Sequence, residues 1–170
     1  MQDVCVVQSC HGQGYARTTA RDIASASGVS LAAIGYHYGT KDDLLTAALY
    51  QALGEWGDDL RKVLETVDLT EAMWTQVIGS FAANHRLWAV QFELLAFLDG
   101  KPELKAAFAK ANEEARSALA ELFGVEGHAV GAVFQALIGG LAAQWLVSPD
   151  TVPTGGELHA AVHTIAAATA

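Results

Sequence analysis

TTARDIASASGVSLAAIGYHYGTKDDLL, residues 18–45, reads as two short helices around a glycine turn, followed by the start of a third. Thr19 is placed to cap the first helix, and Asp22, three residues on, closes a capping box. Ile23 and Ala24 fall on the inner face, and Ala24 is small enough for a second helix to cross there. Gly28 stands just past the last helical residue, where a left-handed conformation costs glycine little. Ser30 then caps the second helix, and Ile34 points it into a shared core. The pattern is a helix-turn-helix, whose second helix enters the major groove of DNA.

The residue types sharpen this reading. Gly14-Tyr15, Thr18-Thr19, Arg21-Asp22-Ile23-Ala24, Ala26, Gly28-Val29-Ser30, Ile34, Tyr36-His37-Tyr38, Lys41 and Leu44-Leu45 carry, in type and spacing over about thirty positions, a resemblance to a known family. In this the segment resembles the DNA-binding domain of the tetracycline-repressor-like (TetR/AcrR) transcriptional regulators. The tail Tyr36-His37-Tyr38-Gly39-Thr40-Lys41 makes the resemblance specific. It implies that Ser30, Ala32, Ala33, Tyr36 and His37 reach DNA from the groove helix. It also implies phosphate contacts by Thr18, Thr19, Thr40 and Lys41 at helix starts, where free N–H groups attract anions. Leu31 stands where the family often has Lys, and Gly35 where it often has Tyr. Both changes remove a phosphate partner. Ala32 and Ala33 are limited to apolar base contacts, such as a thymine methyl.

The 170 residues carry a net charge of −9, unlike a general DNA binder. The acidity is uneven. Residues 1–53 hold three basic and four acidic side chains, whereas the remainder holds seven against fifteen. The near-neutral head predicts weak non-specific affinity, with contacts drawn from hydroxyls, backbone N–H groups and helix starts. Residues 3–13, DVCVVQSCHGQ, lack the amphipathic pattern of the family's first helix. Gly12 is a poor helix former, and Val4, Val6 and Val7 are β-branched. The basic arm that often precedes that helix is missing as well, so an altered or misplaced start is expected. A second reading therefore stays open: a helical small-molecule sensor or carrier with a degraded, non-DNA-binding head.

Composition excludes other classes. Two cysteines, Cys5 and Cys10, with no His or Cys cluster around them, form neither a metal site nor a disulfide framework. The short run Val4–Val7 is no signal-peptide core, and no apolar run is expected to reach the length of a membrane span. A cytoplasmic protein without membrane partners follows. The sequence has no Gly-rich phosphate loop and no nucleophile elbow. Its carboxylates and histidines occur at no spacing read as metal or triad chemistry, and Asp58-Asp59 and Glu113-Glu114 read as solvated helix faces. We therefore expect no enzyme activity, no catalytic residue, no metal and no cofactor.

The rest of the chain reads as helices. One starts at Thr40 and runs towards Leu64. Thr70 caps one that carries Met73, Trp74, Val77, Ile78 and Phe81, others cover about Leu87–Leu98, Pro102–Phe123 and Ala129–Leu146, and a last one opens on the capping box Thr154–Glu157 and runs to about Ala168. The expected fold is all-α with about nine helices: a three-helix head over residues 1–53 and a helical body over 54–170. By the resemblance, the body binds a small molecule and dimerises. Trp74, Phe81, His85, Trp88 and Phe92 fall at helical spacings that can line a pocket for a small apolar effector, with His85 or Glu93 to orient it. Gln91 and Gln135 are further polar handles. The helix within 128–147 is apolar around more than one face, and the one within 155–168 carries an apolar stripe with His159 and His163. The resemblance implies that they pair two copies, Leu141 and Trp145 included, as a homodimer matching the two-fold of double-stranded operator DNA.

Overall fold

The computed structural model describes residues 18–27, 30–65 and 71–169. Among them are eight α-helices and no strand, as the all-α reading expects. They are α1 (Ala20–Ser27), α2 (Leu31–Tyr38), α3 (Lys41–Leu64), α4 (Glu71–Ala83), α5 (His85–Ala96), α6 (Pro102–Leu122), α7 (His128–Val147) and α8 (Gly155–Thr169), with a 3-10 turn at Pro149–Thr151 before α8. The first expected helix, Gly28, Thr70 and both cysteines lie outside the described residues.

Local chemistry sets most boundaries. Gly39 takes φ +76 between α2 and α3, a left-handed step that would strain any L side chain. Its N–H donates to the Gly35 carbonyl at 3.2 Å, which closes the end of α2. Gly124 (φ +61) ends α6 in the same way. There the Val125 N–H reaches back to the Ala120 carbonyl at 3.0 Å, a Schellman-type closure. Pro102 opens α6, where its missing N–H costs nothing. Only Asn84 separates α4 from α5, so α5 starts earlier and ends earlier than the expected Leu87–Leu98.

The chain forms two compact units. The first comprises the described residues up to Trp56 together with 86–112. Its core is built from Ile23 of α1, Leu44, Leu45, Ala48, Leu49 and Ala52 of α3, Leu87, Val90 and Leu94 of α5, and Leu104 and Phe108 of α6. Ile23, Leu45, Leu49 and Leu94 are at most 1% exposed. Each such side chain contributes about 1.5–3 kcal/mol by burial. Truncating Leu49 to Ala would cost about 2–5 kcal/mol.

The second unit comprises 57–85 and 113–170. Here α4 packs on α7 and α8. Phe123 and Phe134 stack with centroids 4.1 Å apart, and Trp74 stacks on Phe134 at 6.0 Å. Two glycines set the packing distances. A Cβ on Gly131 would collide with the Arg116 carbonyl, so α7 meets α6 there backbone to backbone. A Cβ on Gly155 would collide with Thr75, which seats the first turn of α8 on α4.

Helix α7 corrects one expectation. It carries no Asp, Glu, Lys or Arg, and an eighteen-residue window of it has a mean hydropathy of 1.6, so it is long and apolar enough by length and composition to cross a bilayer. Only part of this helix faces its own core. Gly131, Ile138, Leu141 and Ala142 are buried. Val130, Val133 and Val147 are exposed, as is Ile165 on α8.

Candidate nucleic-acid interface

The capping box expected at α1 is present. The Thr19 N–H donates to Asp22 Oδ2 at 2.8 Å, the Thr19 hydroxyl donates to the same oxygen at 2.6 Å, and the Asp22 N–H returns a bond to Thr19 Oγ1 at 3.2 Å. The start of α3 repeats the device. The Thr40 N–H and hydroxyl both donate to Asp43 Oδ2, and the Asp43 N–H donates to Thr40 Oγ1. The bonds from Thr19 hold the Asp22 carboxyl below its usual carboxylate range, its hydroxyl first and its N–H second. Asp22 therefore stays charged under any ordinary condition.

Between these caps stands α2, whose described side chains are open to solvent. Ser30, Leu31, Ala32, Tyr36, His37 and Tyr38 are all exposed, Tyr36 at 86%. The Tyr36 and His37 rings meet edge to face, 5.1 Å between centroids. The contact holds two large donor- and acceptor-bearing side chains together at the end of the helix. The side chain of Ala33 lies outside the described residues.

The phosphate candidates divide. Thr18 is 2% exposed, so its side chain serves the interior. Thr19 and Thr40 are exposed, yet both are engaged by their capping carboxylates. Lys41 is half-buried at the first position of α3. Beside it, Asp42 is held by Lys101 from the turn before α6. Both helix starts thus carry a carboxylate of their own, which reduces their pull on an external anion.

The candidates for effector binding sit in different units. Trp74 and Phe81 are buried in the second unit, where Trp74 belongs to the aromatic stack on Phe123 and Phe134. His85 is half-buried there, with Nδ1 3.2 Å from the Ala82 carbonyl. Trp88 is buried in the first unit and packs edge to face on Trp56, 5.1 Å between centroids, while Phe92 and Glu93 are half-buried. That unit also holds two buried polar atoms with no hydrogen-bond partner among the described residues, the Tyr50 hydroxyl and Gln91 Oε1. Burial pushes the Tyr50 hydroxyl up, so it remains protonated. Tyr50 was missed in the sequence because it follows the apolar stripe of α3 and reads as core. Among the described residues no three His, Cys, Asp or Glu side chains gather as a metal site would need.

Residues 8–48 match the family model of bacterial regulatory proteins of the tetR family. The "Probable HTH-type transcriptional regulator ArpR" of Pseudomonas putida is 30% identical over 174 aligned positions, covering 89% of this chain and 81% of that protein. Solved structures share the fold. A TetR-family transcriptional regulator from Rhodococcus sp. superposes with a TM-score of 0.74 at 17% identity, covering 96% of this chain and 97% of that one. The transcriptional regulator FadR from Bacillus subtilis, in complex with stearoyl-CoA, gives 0.63 at 15% identity, with 95% and 93% covered.

Proposed function

Since the chain belongs to the TetR family of bacterial regulatory proteins, we propose that this helix-turn-helix transcriptional regulator is a cytoplasmic, homodimeric repressor released from its operator by a small apolar molecule. In this reading residues 1–53 form the DNA-binding part, and residues 54–170 bind the effector and pair two copies. The observation that carries it is α2. A helix that bares Leu31, Tyr36 and Tyr38 to water has a surface made for a partner. Tyr36 and His37 bring hydrogen-bonding edges and flat rings to base edges, and Ser30 brings a hydroxyl. Lys41 supplies a cation for the backbone.

The pairing of copies is supported by the uncovered apolar sides of α7 and α8, with Val133 at 58% and Ile165 at 63% exposure. Leu141 faces its own core, so the outward valines of α7 are the better candidates for the interface. The effector class is supported by the aromatic side chains of each unit taken by itself, Trp74 and Phe81 beside His85 in the second and Trp88 and Phe92 beside Glu93 in the first. A protein of the same fold was solved with stearoyl-CoA, which carries a long apolar chain. An effector acts only by favouring one spacing of the two groove helices over another.

The test is a mobility shift with DNA from upstream of the chain's own gene, at stated salt, with and without apolar ligands first found by thermal shift. Binding that each stabilising ligand weakens supports the reading. A ligand that stabilises the protein strongly and leaves operator affinity untouched removes the release mechanism.

A further inference from the structure

Helix α8 carries two histidines one turn apart, His159 and His163. Their rings meet edge to face, with centroids 4.5 Å apart and planes at 72°. Residues four apart on a helix are surface neighbours, and this spacing lets two imidazoles share one ion in helical zinc sites. With N–metal bonds of about 2.0–2.1 Å, two imidazoles on one ion bring their ring centres to about 5 Å. The observed pair stands close to that separation.

The surroundings define the ion. His159 is half-buried and His163 exposed, which leaves one side open to solvent. The neighbouring oxygens are occupied: the Glu157 carboxylate accepts from the Thr154 N–H and hydroxyl, and the Thr164 hydroxyl donates to the Ala160 carbonyl. No third His, Cys, Asp or Glu joins the pair among the described residues. An all-nitrogen donor pair selects zinc, nickel or copper over magnesium and calcium. We propose that His159 and His163 chelate one divalent transition-metal ion of this class, with water in the remaining positions. The site goes beyond the regulatory reading and does not depend on it. An ion held by both rings staples one turn of α8, and it stabilises the folded chain because the unfolded chain does not hold the rings together.

Equilibrium dialysis of the full chain against zinc chloride, at a pH where imidazole is neutral, tests this. We expect about one zinc per chain in the wild type, with a raised melting temperature. His159→Ala and His163→Ala should each lose the bound zinc and the rise in melting temperature. His128→Ala, which removes a histidine paired with Glu113 at 2.7 Å, should keep both. His163→Gln serves as a second variant if His163→Ala melts α8 in circular dichroism. No zinc on the wild type overturns the proposal. So does zinc retained by the double variant lacking both α8 histidines.

Discussion

Lys101 holds the carboxylate of Asp42, 59 residues away in the sequence. Asp42 lies in the first turn of α3, directly after the Thr40–Lys41 step that leads out of α2. Asp42 also anchors that turn through its carbonyl, which accepts from the Thr46 hydroxyl at 2.7 Å. The turn before α6 therefore fixes the end of α3 next to the groove helix. Both partners are partly exposed, so Lys101→Met should cost less than about 1 kcal/mol, and the difference should shrink as salt rises. Urea denaturation at low and high salt measures this.

Tyr36→Ala should abolish operator binding with no change in melting temperature. The ring is 86% exposed and its described ring contact is with the neighbouring His37, so its removal leaves the core intact. Lys41→Ala should weaken binding alike on all DNA sequences and flatten the salt dependence. Fluorescence anisotropy on operator and unrelated DNA separates the two effects.

The local features were legible in the sequence because they are decided within four residues. The capping boxes Thr19–Asp22, Thr40–Asp43 and Thr154–Glu157 all form as their spacing dictates. The exposure of Tyr36 and His37 followed from their place in the groove helix. What distant segments decide was not legible. Thr18 read as a phosphate contact but is buried, because the interior closes over it. The Asp42–Lys101 pair and the Gly131–Arg116 approach depend on which helices meet, and no local pattern announces them. Leu141 and Val133 look alike in an all-apolar helix, and only packing shows which one faces inward.

Gly131→Ala should destabilise the chain by about 1–3 kcal/mol or more, because its Cβ would meet the rigid Arg116 carbonyl. Gly139→Ala is the contrast. Nothing lies within 4 Å of its Cβ, so within one chain the gain in helix propensity of about 1 kcal/mol should dominate. Urea midpoints of the two variants should move in opposite directions.

Acid should loosen the starts of α1 and α8 before the cores open. Bonds from Thr19 lower the Asp22 carboxyl, and bonds from Thr154, its N–H first, lower that of Glu157. A depressed folded-state value means that the stabilisation is fully present above the unfolded values of about 3.9 and 4.3. It is lost as pH falls through the lower folded values. Amide exchange in the two first turns should quicken on acidification. Asp22→Asn and Glu157→Gln should make that exchange nearly independent of pH over the same range.

Val133→Glu and Ile165→Glu should yield a folded monomer. Both positions are exposed in the single chain, so the charge costs little there, but it would be buried without a partner between two copies. Sedimentation velocity reports the change in mass, and operator affinity should fall with it. A wild type that stays monomeric at all concentrations would remove the dimer from the proposal.

The carboxylates that cap α1 and α3 have a kinetic consequence. Asp22 and Asp43 are tethered ligands, held at the helix starts at a local concentration that no free ion approaches. A DNA phosphate arriving there meets an occupant of its own charge and must share the site with it. On the proposed reading, such a complex would give up encounter rate and residence time together, with a brief grip on DNA unless contacts from α2 prolong it. If α2 reads the operator as proposed, the regulator should leave random sequence quickly and stay only where α2 finds its bases.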